Sequence, residues 1–429
     1  MTQDWNNIPT SHQIPHTRFL VDYFIKLPTQ VTAFFLTHWH YDHYRGLGPN
    51  FQQGLIYCSP ITARLLERIT LVDPQWIVAK HNNEPFLVEH VQVTFLDANH
   101  CPGSVMILFQ TPEGSNYLHT GDMRYTPDLK EEWKILNNIC LDAVYLDTTY
   151  CHRRYRFPCQ EKTIQRIVDI IQNSIGRDSH SNEIHCTSRH TLYLIATYGI
   201  GKERIMDALI QKGYRIYASP DKWKVLQCLE YWDSCLLNDS FTTEPCASPI
   251  WLVGWNRVAE NVPGRLLPNF EALEDMLYMA NYYRNKVNSS QHGLLQRVVA
   301  CIPTGWTWQG NNREYLQEKD HSRLSVYGIP YSEHSNYEEL YHFIAWLRPK
   351  QVIPTVSFSS SKRQPKHPFD HLLAGTQVKR AFLQKWLNNN PKESCEDDDK
   401  QSTQQLHNQP KIARKGDILS YFKASPFNS

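Results

Sequence analysis

Residues 34–47, "FFLTHWHYDHYRGL", set three histidines and an aspartate within six positions: His38, His40, Asp42 and His43. An apolar run delivers them, and a glycine-containing turn follows. In extended chain His38 and His40, at i and i+2, point to the same side. Asp42 and His43 fall in the turn, where the strand pattern stops. Neutral imidazoles and carboxylates suit Zn²⁺ or a similar divalent ion, and loop positions let several of them converge. A run of merely solvated histidines is the competing reading. The H-x-H-x-D-H spacing after a strand, with further ligand-type residues downstream, disfavours it.

The segments around this stretch read as a sheet-rich α/β pattern. "FLVDYF", "VTAFFL" and "GLIYCS" look like buried strands, "VQVTFLDA" alternates with period two, and "ITARLLERI" reads as a short helix. "SVMILFQT" and "SNYLHTGD" read as strands joined by a Pro/Gly turn. After "AVYLDTTY" the texture changes. Ile164, Ile167, Ile170 and Ile171 recur at helical spacing, and residues 191–219 read strand, glycine-rich turn, helix, strand. Residues 230–320 give no clear pattern. Strand, loop, helix and strand return over 323–358, and 359–368 reads as a linker. Val378, Phe382 and Trp386 mark one face of a helix over 377–387, and a polar, biased tail follows.

Composition bounds the rest. The 429 residues are 41% hydrophobic and 12% aromatic, enough for two or three domains' worth of core. No apolar run is long enough for a membrane span. The N-terminal "MTQDWNNIPTSHQ" lacks the charged and apolar regions of a signal peptide. Eleven cysteines without a C-x-x-C pair predict reduced thiols rather than a disulfide framework or a cysteine zinc cluster. The net charge of +1 conceals an acidic "ESCEDDDK" at 393–400, so the remainder is more basic than the total.

H-x-H-x-D-H resembles the signature of the metallo-β-lactamase superfamily. The blocks "LDANHCPGSVMILF", "YLHTGDMR", "YLDTTYC", "TYGIGKE", "PTGW" and "YGIPYSEHSNY" then narrow the resemblance to the DNA cross-link repair nucleases of the β-CASP branch. The resemblance runs in order from about 18 to 390. It implies a metallo-β-lactamase αββα sandwich over 1–150 and 323–390, an inserted α/β β-CASP cap over 151–322, and a disordered tail over 391–429. It also implies a first metal on His38, His40, His100 and Asp122, and a second on Asp42, His43, His334 and the shared Asp122. Asp22 would support the metal loop, and Asp42, Asp122 and Asp147 would serve catalysis. Asp147 would orient water or a metal-bound group. The ions expected are one or two divalent metals, zinc first, with magnesium or manganese open to a second site. Cys101, beside His100, is read as packing.

The turn "TYGIGKE" (197–203) follows a strand and opens a helix. Its N–H groups and Lys202 make a natural phosphate seat, which in the family receives a terminal 5′-phosphate. The family commonly carries serine where this chain has Gly199. Thr149 and Ser332 are further candidates for phosphate contact. In the tail, Ile418, Tyr421 and Phe422 at i, i+3 and i+4 share one side of a helical turn. They resemble the motif that plugs into the sliding clamp PCNA, with Lys415 where glutamine is usual.

The function expected is therefore a metal-dependent 5′-to-3′ DNA exonuclease of interstrand cross-link repair, working from a 5′-phosphate on single strands. A monomer in the nucleus, with no membrane contact, is expected. A β-CASP RNA-processing nuclease is the alternative, since the reacting phosphodiester is the same. A small-substrate hydrolase acting on lactams or thioesters has no need of the long insert.

Overall fold

The N-terminal strand pattern builds two facing sheets. A computed structural model describes residues 4–177, 190–262, 265–287, 293–305 and 314–356. In the first sheet β1 (Phe19–Val21), β2 (Ala33–Phe35), β3 (Ile56–Cys58) and β4 (Ile77–Ala79) lie in order, all parallel. α1 (Tyr41–Tyr44) follows β2 and α2 (Pro60–Leu65) follows β3. Ser59 caps α2, its hydroxyl accepting from the Thr62 N–H at 3.3 Å, with Pro60 in the first turn.

The second sheet begins with β5 (Phe86–Val88), β6 (Val91–Asp97), β7 (Val105–Gln110) and β8 (Asn116–His119), an antiparallel meander. β9 (Ala143–Leu146) then pairs parallel with β8. Phe19, Val21 and Phe35 from the first sheet share a core with Phe95, Ile107, Phe109 and Tyr145 from the second. The Phe35 and Phe109 rings meet edge to face at 5.0 Å. Phe34, one residue out of step, faces the opposite core with Leu65 and Leu66.

The chain then leaves for the cap: α3 (Gln160–Arg177), β10 (Thr191–Thr197), α4 (Glu203–Gln211), β11 (Ile216–Tyr217), α5 (Pro220–Leu229), α6 (Ser234–Ser240), β12 (Phe241–Thr242), β13 (Ile250–Gly254), β14 (Ala259–Val262), β15 (Arg265–Pro268), α7 (Phe270–Lys286), β16 (Arg297–Thr304), β17 (Tyr315–Lys319) and β18 (Leu324–Pro330). Seven of these strands form a sheet in the order β12-β11-β13-β10-β16-β18-β17, parallel except at β17. Ile167, Ile170 and Ile171 of α3 are buried, as their spacing predicts. They share a core with the cap helices and the outer face of the first sheet. α8 (Tyr337–Leu347) and β19 (Gln351–Pro354) complete the described chain, β19 pairing parallel with β9 at the edge of the second sheet.

The chain thus builds the αββα sandwich with an inserted α/β cap, with a correction to the boundary expected after 322. β18 pairs with β16 along its whole length, so residues 324–330 belong to the cap sheet. The return to the sandwich comes after Pro330. The unread stretch 230–320 contains α7, which buries Leu273, Met276, Leu277 and Ala280 at helical spacing and is capped by Asn269. Among the described residues no helix is long and apolar enough to cross a membrane, and every cysteine is a free thiol. Trp306 of "PTGW", the linker, the helix read over 377–387 and the tail lie outside the described residues.

One topological fact positions the site. A cleft of about 700 Å³ is lined mainly by residues that follow the carboxyl ends of β1, β2, β6, β8, β9 and β19 in the sandwich, and of β10, β16 and β18 in the cap. Loops beyond strand carboxyl ends are where open α/β sheets gather ligand-binding groups, and here two sheet systems direct theirs into the same space.

Candidate metal centre and cleft

His38, His40, His100 and Asp122 each offer a ligand atom, all within 4.8 Å of one another. Their local causes are separate. Asp22, at the end of β1 with a left-handed φ of 54°, accepts from the Thr37 N–H and hydroxyl, both at 2.8 Å. It thereby pins the exit of the β2 strand from which His38 and His40 emerge. His100 follows β6, where the Ser104 hydroxyl takes its N–H at 3.3 Å. Asp122 follows β8.

The hydrogen-bond network assigns each tautomer. The Thr37 hydroxyl spends its proton on Asp22, so it accepts from His38 Nδ1 at 3.0 Å. His40 donates from Nε2 to the Ile200 carbonyl at 3.1 Å, and His100 donates from Nδ1 to the Glu333 carbonyl at 2.9 Å. Each ring is left with one bare nitrogen, and the three bare nitrogens face each other. His38 Nε2 lies 2.8 Å from His40 Nδ1, which lies 3.1 Å from His100 Nε2. Burial lowers the pKa of all three rings, most strongly for His38 and His100, so none takes up a proton easily. Three converging lone pairs with a carboxylate 3.6 to 3.7 Å from two of them form a donor set that fits a divalent cation.

Asp122 also belongs to a second group with Asp147 and His334. Asp147 is buried at the end of β9; its Oδ2 meets His334 Nδ1 at 2.8 Å and accepts from the Met123 N–H at 3.1 Å. Burial disfavours a charged His334, but Asp147 and Asp122 outweigh it and push its pKa up to about 9. Arg124 ties the loop that carries His334, donating to the Ser332 carbonyl and to Glu339 at 3.0 Å.

The second set expected from the resemblance, Asp42 and His43 with Asp122 and His334, is arranged differently. Asp42 lies in the first turn of α1 with its side chain 82% exposed, 3.8 Å from His43 Nε2. His43 donates from Nδ1 to Asp22 at 2.8 Å and sets Nε2 3.3 Å from Asp122. Burial opposes its charge, but Asp122 and Asp22 hold its pKa well above the ordinary imidazole value. Asp147, rather than Asp42, is the carboxylate grouped with Asp122 and His334.

The cap turn also departs from the simple picture of a phosphate seat. Lys202 has φ 67° and is buried, its ammonium 4.3 Å above the Tyr198 ring and 3.4 Å from the Ala196 carbonyl. Burial pushes its pKa down to about 8. The turn's N–H groups already have acceptors: Gly201 donates to Glu203 at 2.9 Å and Lys202 to Glu333 at 2.7 Å. Burial and the neighbouring Glu203 carboxylate push Glu333 up to about 7. Lys222 donates to the Tyr198 and Gly199 carbonyls at 3.1 and 2.8 Å. The Thr149 hydroxyl donates to Asp147 at 2.7 Å and the Ser332 hydroxyl to the His334 carbonyl at 2.9 Å. Gly199, Lys202, Thr149 and Ser332 all line the cleft. Cys101 is partly buried, and burial with the nearby Glu333 and Glu203 raises its thiol pKa well above normal, which keeps it inert.

Sequence reasoning missed Tyr150, Tyr198, Glu203, Glu333 and Lys222. Each but Lys222 had a signal in a quoted block: Tyr150 in "YLDTTYC", Tyr198 and Glu203 in "TYGIGKE", and Glu333 beside His334 in "YSEHS". Tyr150 follows β9 of the sandwich, whereas the cap fold brings in Tyr198 and Glu203.

Comparison with known proteins adds a separate line. Residues 236–360 match the family described as DNA repair metallo-beta-lactamase. DNA cross-link repair 1A protein of Gallus gallus is 36% identical over 375 residues, 86% of this chain and 35% of that protein. DNA cross-link repair protein SNM1 of Arabidopsis thaliana is 32% identical across 83% of this chain and 68% of that protein. 5′ exonuclease Apollo of Rattus norvegicus is 31% identical across 80% of this chain and 54% of that protein. The chain spans about a third of the length of the cross-link repair 1A relative.

Proposed function

The chain belongs to the DNA repair metallo-β-lactamase family of cross-link repair proteins, and on that premise we propose that it is a metal-dependent 5′-to-3′ DNA exonuclease of interstrand cross-link repair. The observation that carries the reading is the set of three imidazoles with their lone pairs turned on one another beside Asp122, at the floor of a two-sided cleft. A divalent ion bound there, zinc being the best match to three imidazoles and a carboxylate, supplies Lewis-acid polarisation of the attacking water and of the phosphate oxygens.

The protein's own groups prepare that chemistry. Thr37, the Ile200 carbonyl and the Glu333 carbonyl hold the three rings in their ligating tautomers. Asp122, common to both ligand groups, has the two oxygens needed to serve both. Asp147 holds the proton on His334 Nδ1 and orients that ring over the cleft. The cap turn at Gly199–Lys202 would receive the terminal 5′-phosphate by exchanging the inward bonds of Gly201 and Lys202 to Glu203 and Glu333, with Lys202 supplying positive charge at the cleft wall.

We take the substrate to be single-stranded DNA and the working form a monomer; the relatives' names in DNA cross-link repair support a DNA substrate and a nuclear location. Ile418, Tyr421 and Phe422, outside the described residues, would tether the enzyme to PCNA. Tyr421→Ala/Phe422→Ala should then abolish clamp binding in a pull-down.

The test is cleavage of matched single strands of DNA and RNA, each with a 5′-phosphate or a 5′-hydroxyl, beside a small β-lactam. The reading expects DNA with a 5′-phosphate to be cut fastest and the lactam to survive. RNA cut as fast as DNA would redirect the reading to RNA processing, and equal rates at the two 5′ ends would remove the phosphate seat.

A further inference from the structure

The stretch that leaves the sandwich for the cap, "CHRRYRF" at 151–157, places Arg153, Arg154 and Arg156 within four positions, all exposed and next to an exposed His152. The loop is ordered by its own contacts. Tyr155 is buried, its ring against Tyr150 at 4.9 Å, and its N–H donates to the His152 carbonyl at 2.9 Å. The Arg154 N–H donates to His152 Nδ1 at 3.1 Å. Phe157 also meets Tyr150 at 4.9 Å. Tyr150 lines the cleft, and its ring stands 5.8 Å from that of His334. A preordered cationic loop therefore sits one aromatic layer away from the metal-ligand group.

Its guanidiniums are held mostly by rings. Arg153 lies 5.6 Å over Tyr337, and Arg154 lies 4.7 Å over Tyr155 while donating to its hydroxyl at 2.7 Å. Arg156 pairs with Glu338 at 3.3 Å in an exposed contact, of the kind that contributes little. A ring beneath a guanidinium limits its freedom and leaves N–H groups for an anion such as a phosphate. Two such groups along one short loop, with the exposed Arg156 beside them, match a ligand that repeats one negative charge per unit.

We propose that loop 151–157 is a backbone-binding surface for the DNA strand that continues beyond the nucleotide held in the cleft, with Arg153 and Arg154 each taking a phosphate. The proposal rests on the nuclease reading above and extends it, because it makes grip on the substrate depend on strand length. Ordering by Tyr155 and Tyr150 lowers the entropic cost of that grip.

The test is binding of a fluorescent 20-nucleotide single strand by the full, metal-stripped chain, followed across salt concentrations. For single strands each phosphate contact contributes about 0.7 to the slope of log affinity against log salt. Arg153→Ala/Arg154→Ala should lower the slope by about 1.4. Arg153→Lys/Arg154→Lys should restore most of it, which a purely structural role for the loop would not do. The charge-matched Lys212→Ala/Lys286→Ala should leave it unchanged. Wild-type binding whose slope survives the arginine-to-alanine change overturns the loop proposal and leaves the nuclease reading standing. A stripped wild-type chain that binds no strand also overturns the loop proposal, while the nuclease reading stands or falls on the cleavage test above.

Discussion

The histidine floor of the sandwich and the glycine-rich turn of the cap face one cleft, yet they treat their polar atoms in opposite ways. On the floor each imidazole spends its proton on a fixed partner behind it and presents a bare nitrogen in front. In the turn the donors are bonded inward, Gly201 and Lys202 to the carboxylates of Glu203 and Glu333, and Lys222 to main-chain carbonyls. The floor therefore turns three lone pairs and a carboxylate towards one point, whereas the turn bonds its donors from within. The two are also joined. The Ile200 carbonyl orients His40, and Glu333 binds the turn through its side chain while orienting His100 through its carbonyl. Anything that shifts the turn should be felt by His40 and His100, two of the proposed ligands.

Removing the carboxylate shared by both ligand groups breaks the floor most severely. Asp122→Asn should cut the cleavage rate on the order of 10³-fold or more, since a metal clamp supplies several kcal/mol of charge stabilisation, with the circular dichroism spectrum retained. A smaller break acts from behind. Thr37→Val removes the acceptor for His38 Nδ1 while keeping the size of the side chain, and should weaken zinc binding about 10-fold in a chelator competition.

Proton linkage separates the two regions by pH. His119, behind Asp122, accepts from the Gly121 N–H at Nδ1 and donates to the Ser11 carbonyl, and burial lowers its pKa from 6.5 to about 4. Below 6.5 the unfolded chain takes up that proton while the folded one refuses it. Folding stability should therefore fall as the pH drops from 6.5 towards 4, by up to about 3 kcal/mol, and chemical denaturation of His119→Asn should show a shallower decline. Lys202 obeys the same sign in an alkaline window. Its pKa, lowered by burial from 10.5 to about 8, predicts stability rising with pH between those values, and Lys202→Met should flatten the rise. The mildest change restores a hydroxyl to the turn. At Gly199 an added Cβ would meet only Trp39 Cζ3 at 3.4 Å. Gly199→Ser should alter stability by less than about 0.5 kcal/mol and lower KM for a 5′-phosphorylated strand about threefold.

The same contrast explains what could be read in advance. His38, His40, His100 and Asp122 were legible because each directly follows a buried strand, where a break in apolar periodicity exposes a polar residue. Asp42 lies apart from the Asp122–His334 group for a local reason: the turn after β2 closes into α1, and that helical turn carries its carboxylate outwards. Asp147 was visible as a strand end, but its nearness to His334 depends on a loop that begins 186 residues after Leu146, at Ser332, and is held by Arg124. The G-x-G-K turn announced donors without announcing that Glu203 and Glu333 would claim them. β18 looked like the return to the sandwich because a buried strand carries no mark of which sheet it joins. α7 went unread although its core spacing and Asn269 cap were present, because the prolines and polar residues around it masked its limits.

Titrating metal back into stripped protein tests the central claim most directly. Cleavage of a 5′-phosphorylated single strand should be absent after chelation and return in step with zinc bound, and Asp122→Asn should recover none of it. Cleavage that persists at the wild-type rate in stripped protein, or in Asp122→Asn, would contradict a metal centre built on His38, His40, His100 and Asp122.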